Sequence, residues 1–321
     1  MPEFLMLPPQ SEITRAWARR LRADLPEMSV VVAETPEDAA RAIISADAAF
    51  GFLPPDLLAK ARRLRWLQAP QAAPPPGFYH PELIAHPVVV TNTREIYNDH
   101  IAAHVMACIL MFARNLVHYH RQQLVRTWDP APLDTGVTHL PDSTLLIVGV
   151  GGIGAETARL AASFGMRVIG TDARRTDKPD YMSELHRADA LDELLPRADF
   201  VVLTVPHTPA TEGFMDRARF QRMKRSAIFI NIGRGMTTRL ADLTAALQAG
   251  EIAGAALDVY EQEPLPPDHP LWDLRNVLLT PHISGYGPYL DERRYEILLH
   301  NCRAFAKGEP LRNLVDKANR F

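Results

Sequence analysis

Four side chains suited to carboxylate binding and proton transfer stand just after apolar runs in the second half of the chain. They are Arg234, Asp258, Glu263 and His282. A guanidinium grips a carboxylate through two parallel hydrogen bonds, and an imidazole exchanges protons near neutral pH. A glutamate beside that imidazole stabilises its charged form and fixes its tautomer. Each residue taken alone is more often a solvated loop residue, but their shared placement at strand ends indicates one site.

A glycine-rich turn supplies the second half of the chemistry. An apolar run enters Gly149-Val-Gly-Gly-Ile-Gly154 and a helical pattern begins at once, which is typical of a buried parallel strand feeding a helix. Gly149 permits the tight turn, Gly151 lets the backbone approach a pyrophosphate, and Gly154 lets the helix pack closely on the strand. The helix N-terminus then offers N–H groups and a partial positive charge to the phosphates. This pattern predicts a dinucleotide-binding unit.

The residue types around Asp172 favour NAD over NADP. Asp172 follows Gly154 by eighteen residues, where a carboxylate meets the ribose hydroxyls of a bound dinucleotide. It would also repel a 2′-phosphate, although Arg174 and Arg175 follow closely, and an arginine in that turn can accept the phosphate. We therefore predict NAD as the cofactor, with NADP less favoured. The residues predicted to bind this cofactor through the glycine turn and its acid are Gly149, Gly151, Gly152, Ile153, Gly154 and Asp172.

Strands and helices must alternate along the chain to position these groups. Strand candidates lie at 4–7, 29–33, 48–53, 64–68, 87–91, 145–148, 166–172, 199–206, 227–231, 253–260 and 277–282. Helical stretches lie near 11–25, 36–46, 55–62, 98–126, 155–162, 239–249 and 288–307. Such alternation predicts parallel sheets with helices on their faces, where ligands bind outside the carboxyl ends of the strands.

The helix predicted at 98–126 is apolar on more than one side. Its main face carries Ile101, Val105, Ile109, Phe112 and Leu116, and its flanks carry Met106, Cys108, Leu110 and Met111. Such breadth favours burial against more than its own domain. Because two-fold dimers are the common oligomers, we predict a homodimer.

Composition excludes several classes of protein. The chain has 321 residues, 47% of them hydrophobic, a formal charge of −3 and no dense basic run, so a nucleic-acid surface is not expected. No apolar stretch is long enough to span a membrane, and no signal peptide begins the chain, so we expect a cytoplasmic protein. The spacing of His100 and His104 resembles that of a zinc-protease helix but lacks its glutamate, so no metal is expected.

Five motifs together resemble the D-2-hydroxyacid dehydrogenase family, which includes phosphoglycerate, glyoxylate/hydroxypyruvate and formate dehydrogenases. They are Gly149-Val-Gly-Gly-Ile-Gly154, Pro206-His-Thr-Pro-Ala-Thr211, Asn231-Ile-Gly-Arg-Gly235, Asp258-Val-Tyr-Glu-Gln-Glu-Pro264 and Leu279-Thr-Pro-His282. The resemblance runs from about residue 64 to 301. It implies two Rossmann-like, doubly wound parallel-sheet domains: a flavodoxin-like substrate domain of residues 1–97 plus 289–321, and an NAD-binding domain of residues 98–288.

The resemblance also implies a role for each candidate residue. Arg234 would bind the carboxylate and carbonyl of the substrate, His282 would act as acid and base, and Glu263 would be its partner. Of the cofactor contacts, Asp258 and the backbone near Ile232 would meet the nicotinamide carboxamide, and Val205 and Pro206 the adenosine side.

Two departures from the family pattern concern the substrate. Gln71-Ala-Ala-Pro-Pro75 stands where the family usually has Ser-Ala-Gly-Val-Asp, and Ala102-Ala103-His104 stands where it has Ala-Glu-His. The N–H groups of Gln71, Ala72 and Ala73 would hold the substrate carboxylate, although a rigid connector explains this proline-rich loop equally well. Other residues near the loop that would shape the pocket are Tyr79, His80 and Tyr97.

These observations predict an NAD-dependent oxidoreductase that interconverts a 2-keto acid and a D-2-hydroxy acid. Hydride would pass between nicotinamide C4 and substrate C2 while His282 exchanges the proton of the oxygen. One alternative is a non-catalytic NAD-sensing module, since the same fold serves as a transcriptional corepressor. The other is an enzyme similar to formate or phosphite dehydrogenases. The intact set of Arg234, Glu263 and His282 argues against the non-catalytic alternative.

Overall fold

Two compact units make up the chain in the computed structural model, which describes residues 1–72, 74–75, 77–130 and 137–318. Unit 1 comprises Met1–Ile96 and Pro288–Phe321, and unit 2 comprises Tyr97–Gly287. Each unit is built on one parallel sheet with helices. The predicted fold class of two parallel-sheet α/β domains is therefore confirmed.

Unit 1 contains a five-stranded sheet of order β2-β1-β3-β4-β5, all parallel. The strands are β1 (Glu3–Met6), β2 (Ser29–Val32), β3 (Ala48–Phe50), β4 (Trp66–Gln68) and β5 (Val89–Thr91). The helices are α1 (Glu12–Asp24), α2 (Pro36–Ala42), α3 (Pro55–Leu58), α4 (Pro81–Ala85) and, near the C-terminus, α11 (Leu290–Lys307). This strand order is that of flavodoxin-like folds.

A buried polar network attaches α11 to the sheet of unit 1. The Trp66 indole N–H donates to the Thr91 hydroxyl over 2.8 Å, and that hydroxyl donates to Gln68 Oε1 over 2.8 Å. Asn301 on α11 donates to the same Gln68 oxygen over 3.1 Å. Buried polar groups are costly unless they are hydrogen-bonded, so these bonds specify where the C-terminal helix docks.

Unit 2 contains a seven-stranded parallel sheet of order β12-β11-β10-β9-β6-β7-β8. The strands are β6 (Thr144–Val148), β7 (Arg167–Asp172), β8 (Glu184–Arg187), β9 (Phe200–Leu203), β10 (Ile228–Asn231), β11 (Gly254–Leu257) and β12 (Val277–Leu279). The helices are α5 (Asn98–Ala113), α6 (Leu116–Leu124), α7 (Gly152–Ser163), α8 (Leu191–Leu194), α9 (Arg217–Arg222) and α10 (Leu240–Gln248). The strand order reverses between β6 and β9, where ligands bind in open α/β sheets.

The unbroken apolar run of β6 follows from burial on both faces of this sheet. Leu145 and Ile147 belong to the core cluster that includes residues of α5 and α7. Leu146 and Val148 belong to the cluster that includes residues of α9 and α10. Alternate side chains of one strand thus enter different cores, and each core demands apolar residues.

The single helix predicted at 98–126 is wrong. α5 ends at Ala113 and α6 begins at Leu116, with a 75° bend between their axes. Asn115, at φ 55°, takes the left-handed conformation that asparagine tolerates better than most residues. The apolar spacing continues across this break, so periodicity alone did not reveal it.

The pair α5 and α6 also bears on membrane insertion. Across the described segments, no single helix is both long and apolar enough to cross a bilayer. α5 and α6 meet those criteria only when they are counted together, and they are bent at their junction. Most apolar residues of α5 lie in, or pack against, a core cluster of unit 2.

Several elements are shorter than predicted or were not predicted. β11 ends at Leu257 and β12 at Leu279, so Asp258 and the Thr280–His282 segment lie in loops just beyond the strands. β8, α4, α8 and α9 were not predicted as separate elements, because runs of four to six residues carry too little periodicity.

Candidate active site

The glycine turn between β6 and α7 has the close approaches that its spacing predicted. Gly149 has φ 97°, and a Cβ atom on Gly154 would lie 2.1 Å from the Gly149 carbonyl oxygen. A Cβ on Gly151 would meet nothing within 4 Å. The turn itself therefore requires Gly149 and Gly154, whereas Gly151 borders open space.

This open space lies at the start of α7 and suits a phosphate. Gly151 is the N-cap residue of α7 and offers no side-chain cap. Gly152, Ile153 and Gly154 form the first helical turn, whose N–H groups have no partners within the helix. The predicted phosphate-binding residues thus fit a dinucleotide pyrophosphate.

The ends of β6 and β9 are tied together beside this turn. The Thr204 hydroxyl donates to the Gly149 carbonyl oxygen, and a Cβ on Gly149 would lie 2.8 Å from Val205 Cγ1. Pro206 follows directly, and its carbonyl accepts a 2.7 Å hydrogen bond from the Thr211 hydroxyl. The structure therefore brings Val205 to the glycine turn, at the reversal of strand order.

Asp172 organises the same region through its carboxylate. One oxygen accepts a 2.7 Å hydrogen bond from the Val150 N–H, and the other accepts 2.7 Å bonds from the N–H groups of Arg174 and Arg175. A carboxylate has about four acceptor positions, so a ribose hydroxyl can still be accommodated. The sequence predicted only the ribose contact and did not reveal that Asp172 holds its own turn together.

Arg234 stands just beyond β10 in a loop held by Asn231. The fully buried Asn231 accepts from the Gly233 N–H over 3.0 Å and donates to the Arg234 carbonyl over 3.2 Å. Burial lowers the pKa of Arg234, and the nearby Glu263 carboxylate opposes that shift. The guanidinium stays charged near neutral pH and donates one 2.6 Å bond to the Gly233 carbonyl. Its other N–H groups are suited to a substrate carboxylate.

The loops after β10 and β11 touch at a third required glycine, Gly235. A Cβ on Gly235 would lie 1.9 Å from the carbonyl of Tyr260. Tyr260 in turn donates its N–H to Glu263 Oε1 over 3.0 Å. The packing at Gly235 therefore brings the Arg234 loop against the loop that carries Glu263.

Glu263 and His282 form the direct pair that was predicted from their positions. His282 Nδ1 lies 2.7 Å from Glu263 Oε2, and the imidazole is 49% exposed. An ionised carboxylate only accepts hydrogen bonds, so Nδ1 carries a proton and Nε2 remains for a ligand. This geometry is suited to general acid–base chemistry at the imidazole.

Asp258 was predicted to contact the nicotinamide carboxamide, and in the structure it binds several groups of the chain itself. Its carboxylate is 1% exposed and accepts bonds from the Thr280 hydroxyl at 2.6 Å, the Ile283 N–H at 2.8 Å and the Ser284 N–H at 2.9 Å. Asn231 and Thr280 were missed as contributors to the site. Each of them is a polar residue at the end of an apolar run. Because many strand ends in one sequence have this pattern, it does not identify site residues.

The remaining predicted residues occupy simpler settings. Ile232, which follows β10, is buried and its N–H donates to the Leu203 carbonyl over 3.4 Å. Cys108 and Cys302 are buried, and burial raises the pKa of both thiols. Within the part of the chain that the structure describes, no three His, Cys, Asp or Glu residues are grouped to hold a metal ion.

The proline-rich loop belongs to unit 1. The Ala72 carbonyl accepts a 3.0 Å bond from Asn92, and among the described residues neither Gln71 nor Ala72 donates its N–H. Ala73 lies outside the described residues. His80 is a structural residue rather than a pocket residue, because its nitrogens bond the Leu53 carbonyl at 3.0 Å and the N-terminus of α4.

Comparison with known proteins identifies the family. Residues 106–284 match the profile of the D-isomer specific 2-hydroxyacid dehydrogenase NAD-binding domain. A glyoxylate reductase of Korarchaeum cryptofilum is 39% identical over 233 residues, which cover 72% of this chain and 70% of that protein. The chain belongs to the D-isomer specific 2-hydroxyacid dehydrogenase family. It is therefore an NAD(P)-binding oxidoreductase of the class that acts on CH–OH groups.

Solved structures of the family resemble the whole chain. A D-isomer specific 2-hydroxyacid dehydrogenase of Xanthobacter autotrophicus, in complex with NADPH and MES, is 28% identical with a TM-score of 0.84, covering 99% of this chain and 98% of its own. An NADPH-dependent glyoxylate/hydroxypyruvate reductase of Sinorhizobium meliloti, in complex with NADP and sulfate, is 27% identical with a TM-score of 0.80 and full coverage of both chains. Both likenesses extend over the two units.

The two kinds of glycine in the turn should respond differently to substitution. Gly151→Ala should change the free energy of unfolding by less than about 1 kcal/mol, because the added methyl meets open space. It should nevertheless weaken dinucleotide binding by at least about tenfold, because the methyl enters the path of the pyrophosphate. Gly154→Ala should lower the free energy of unfolding by about 1–3 kcal/mol through its backbone clash.

Urea denaturation and fluorescence titration with NADH and NADPH measure the two effects. Unaltered dinucleotide affinity in Gly151→Ala, or unaltered stability in Gly154→Ala, would contradict the assignment of these glycines.

Proposed function

We propose that the protein is a reductase of small 2-keto acids, of the glyoxylate and hydroxypyruvate class, which also oxidises D-2-hydroxy acids in reverse. The observation that carries the proposal is the half-buried Arg234 guanidinium beside the 2.7 Å Glu263–His282 pair, in the unit that holds the glycine turn. The relatives' names, glyoxylate reductase and glyoxylate/hydroxypyruvate reductase, favour the same substrate class.

The residues of the site divide the chemical work. Arg234 binds the carboxylate of the keto acid and polarises its carbonyl oxygen. His282 delivers the Nε2 proton to that oxygen, and Glu263 stabilises the imidazolium before the transfer. Bound nicotinamide supplies the hydride. In the reverse direction, neutral His282 accepts the hydroxyl proton at Nε2.

We also propose the contacts of the bound cofactor. They are those of Val205, Pro206, Ile232 and Asp258.

A substrate panel tests the activity itself. NADH oxidation should be measured with glyoxylate, hydroxypyruvate, pyruvate and bulkier 2-keto acids. We expect the highest kcat/KM with glyoxylate or hydroxypyruvate. Absence of turnover with every 2-keto acid in the panel would overturn the proposal.

Substitution of the acid–base pair should reduce kcat without affecting cofactor binding. His282→Ala should lower kcat by roughly 10²–10⁴-fold, because a positioned general acid is lost. Glu263→Gln should lower it less, because the imidazole keeps a hydrogen-bond partner but loses the opposite charge. The dissociation constant for NADH, measured by fluorescence, should stay within about twofold of the unchanged protein, since the glycine turn is intact. Near-normal turnover by His282→Ala would show that another group supplies the proton.

We propose NAD(H) as the preferred cofactor. The Asp172 carboxylate opposes a 2′-phosphate, and Arg175 is already paired with Asp177 at 2.9 Å and with the Val150 carbonyl at 3.3 Å. The kcat/KM with NADH should therefore exceed that with NADPH by at least about tenfold. Asp172→Ser should reduce this ratio, because it removes the negative charge that repels the 2′-phosphate. Steady-state kinetics with both cofactors decides the matter. Equal values for NADH and NADPH in the unchanged protein would refute the preference.

We also propose that the protein is a homodimer. The residues that support a dimer in the structure differ from the α5 residues on which the sequence prediction was based. Met106 and Cys108 on α5 are buried within unit 2, so they do not require a partner. The exposed apolar residues lie on α6 and just after it: Leu124 at 71%, Val125 at 72% and Trp128 at 96% exposure. Contiguous exposed apolar side chains mark interaction surfaces.

Light scattering at micromolar concentration should therefore give twice the mass of one chain. Val125→Glu should shift the protein toward the monomer, because it places a charge in an apolar contact. Ile13→Glu, at an exposed apolar position on α1 in unit 1, is the matched control and should leave the mass unchanged. A monomer mass for the unchanged protein would refute dimerisation.

A further inference from the structure

We infer that Thr280 is a positioning residue of this enzyme. Its hydroxyl, held between the Asp258 carboxylate and His104, fixes the loop that presents His282. The inference rests on the proposed function for its kinetic consequences, and on hydrogen-bond geometry for its structural ones.

His282 occupies a conformation that its own sequence does not favour. It is not glycine, yet its φ is 54°, in the left-handed region. This conformation is unfavourable for a residue with a Cβ atom and persists only where the surrounding structure determines it. The loop therefore needs anchors close to His282.

Those anchors come from one buried carboxylate on both sides of His282. On its N-terminal side, the Thr280 hydroxyl donates to Asp258 over 2.6 Å. On its C-terminal side, the N–H groups of Ile283 and Ser284 donate to the same carboxylate over 2.8 and 2.9 Å. The Thr280 hydroxyl thus adds a side-chain anchor to the backbone bond that the Thr280 N–H donates to the Leu257 carbonyl over 2.9 Å.

The direction of the Thr280 hydroxyl bond follows from its neighbours. An ionised carboxylate can only accept, so the single hydroxyl proton points to Asp258. The hydroxyl oxygen lies 3.4 Å from His104 Nε2, which must then be the donor in that contact. His104 thereby holds the hydroxyl rotamer that serves Asp258. The longer approach to the Leu257 carbonyl, 3.5 Å, cannot compete with the bond to a charged group.

The same residue reaches the partner of His282. The Thr280 carbonyl accepts a 3.0 Å bond from the Tyr260 hydroxyl, and the Tyr260 N–H donates to Glu263 over 3.0 Å. Thr280 is thus linked to both members of the acid–base pair. A rotation of its segment would change the distance between Nδ1 of His282 and Oε2 of Glu263.

A pair of substitutions separates the hydroxyl from the shape of the side chain. Thr280→Val keeps the branched shape and removes the hydroxyl, whereas Thr280→Ser keeps the hydroxyl. Thr280→Val should lower kcat for 2-keto acid reduction by about 10- to 100-fold, because small misplacements of a catalytic group are costly. Thr280→Ser should stay within about threefold of the unchanged protein, and NADH affinity should be conserved in both.

A second readout does not depend on turnover. The low-field proton resonance of His282 Nδ1–H, identified by its loss in His282→Ala, reports the Glu263–His282 bond. It should shift or broaden in Thr280→Val and be restored in Thr280→Ser. If Thr280→Val fails to fold, His104→Leu carries the test. It removes the donor that orients the hydroxyl and should lower kcat by several-fold and perturb the same resonance.

The outcomes separate this inference from the proposed function. An active unchanged protein with equal kcat and an equal resonance in Thr280→Val would overturn the role of Thr280. Equal losses in Thr280→Val and Thr280→Ser would also overturn it, because shape rather than the hydroxyl would then matter. An unchanged protein that reduces no 2-keto acid would overturn the proposed function, while the resonance would still decide whether Thr280 positions His282.

Discussion

The burial of one carboxylate governs the geometry of the candidate active site. Asp258 follows β11 directly and is almost completely removed from solvent. A buried charge is destabilising unless hydrogen bonds replace its hydration. Three donors from the segment after β12 meet that need. The same three hydrogen bonds therefore compensate the Asp258 charge and hold the segment that places His282.

The same arrangement recurs at other strand ends of unit 2. Asp172, the last residue of β7, accepts hydrogen bonds from three backbone N–H groups, and one of them, that of Val150, belongs to the glycine turn. Asn231, the last residue of β10, holds the loop of Arg234. In each case a polar side chain at the carboxyl end of a strand binds the backbone of a loop. Loops held in this way are pre-organised, which is what electrostatic catalysis and ligand orientation require.

Close backbone approach is the second requirement of the site. Glycine at 154 lets α7 pack on the turn after β6, and glycine at 235 lets the loops after β10 and β11 touch. Neither contact leaves room for a methyl group. The dinucleotide fingerprint and the Arg234 loop therefore depend on glycine at these two positions as much as on the polar side chains around them.

Local features of the sequence were sufficient for the fold class and for much of the candidate site. Apolar runs, turn glycines and their spacing act over a few residues, so the βα order of both units and the motif at Gly149–Gly154 could be predicted. The pairing of Glu263 with His282 also followed, because parallel strands place their carboxyl ends at one edge. The tertiary structure alone decided which groups donate hydrogen bonds to the carboxylates of Asp258 and Asp172. It alone also decided that α5 and α6 are separated at Asn115. Those outcomes depend on packing and charge compensation between residues distant in sequence, and a single sequence does not encode them in any local pattern.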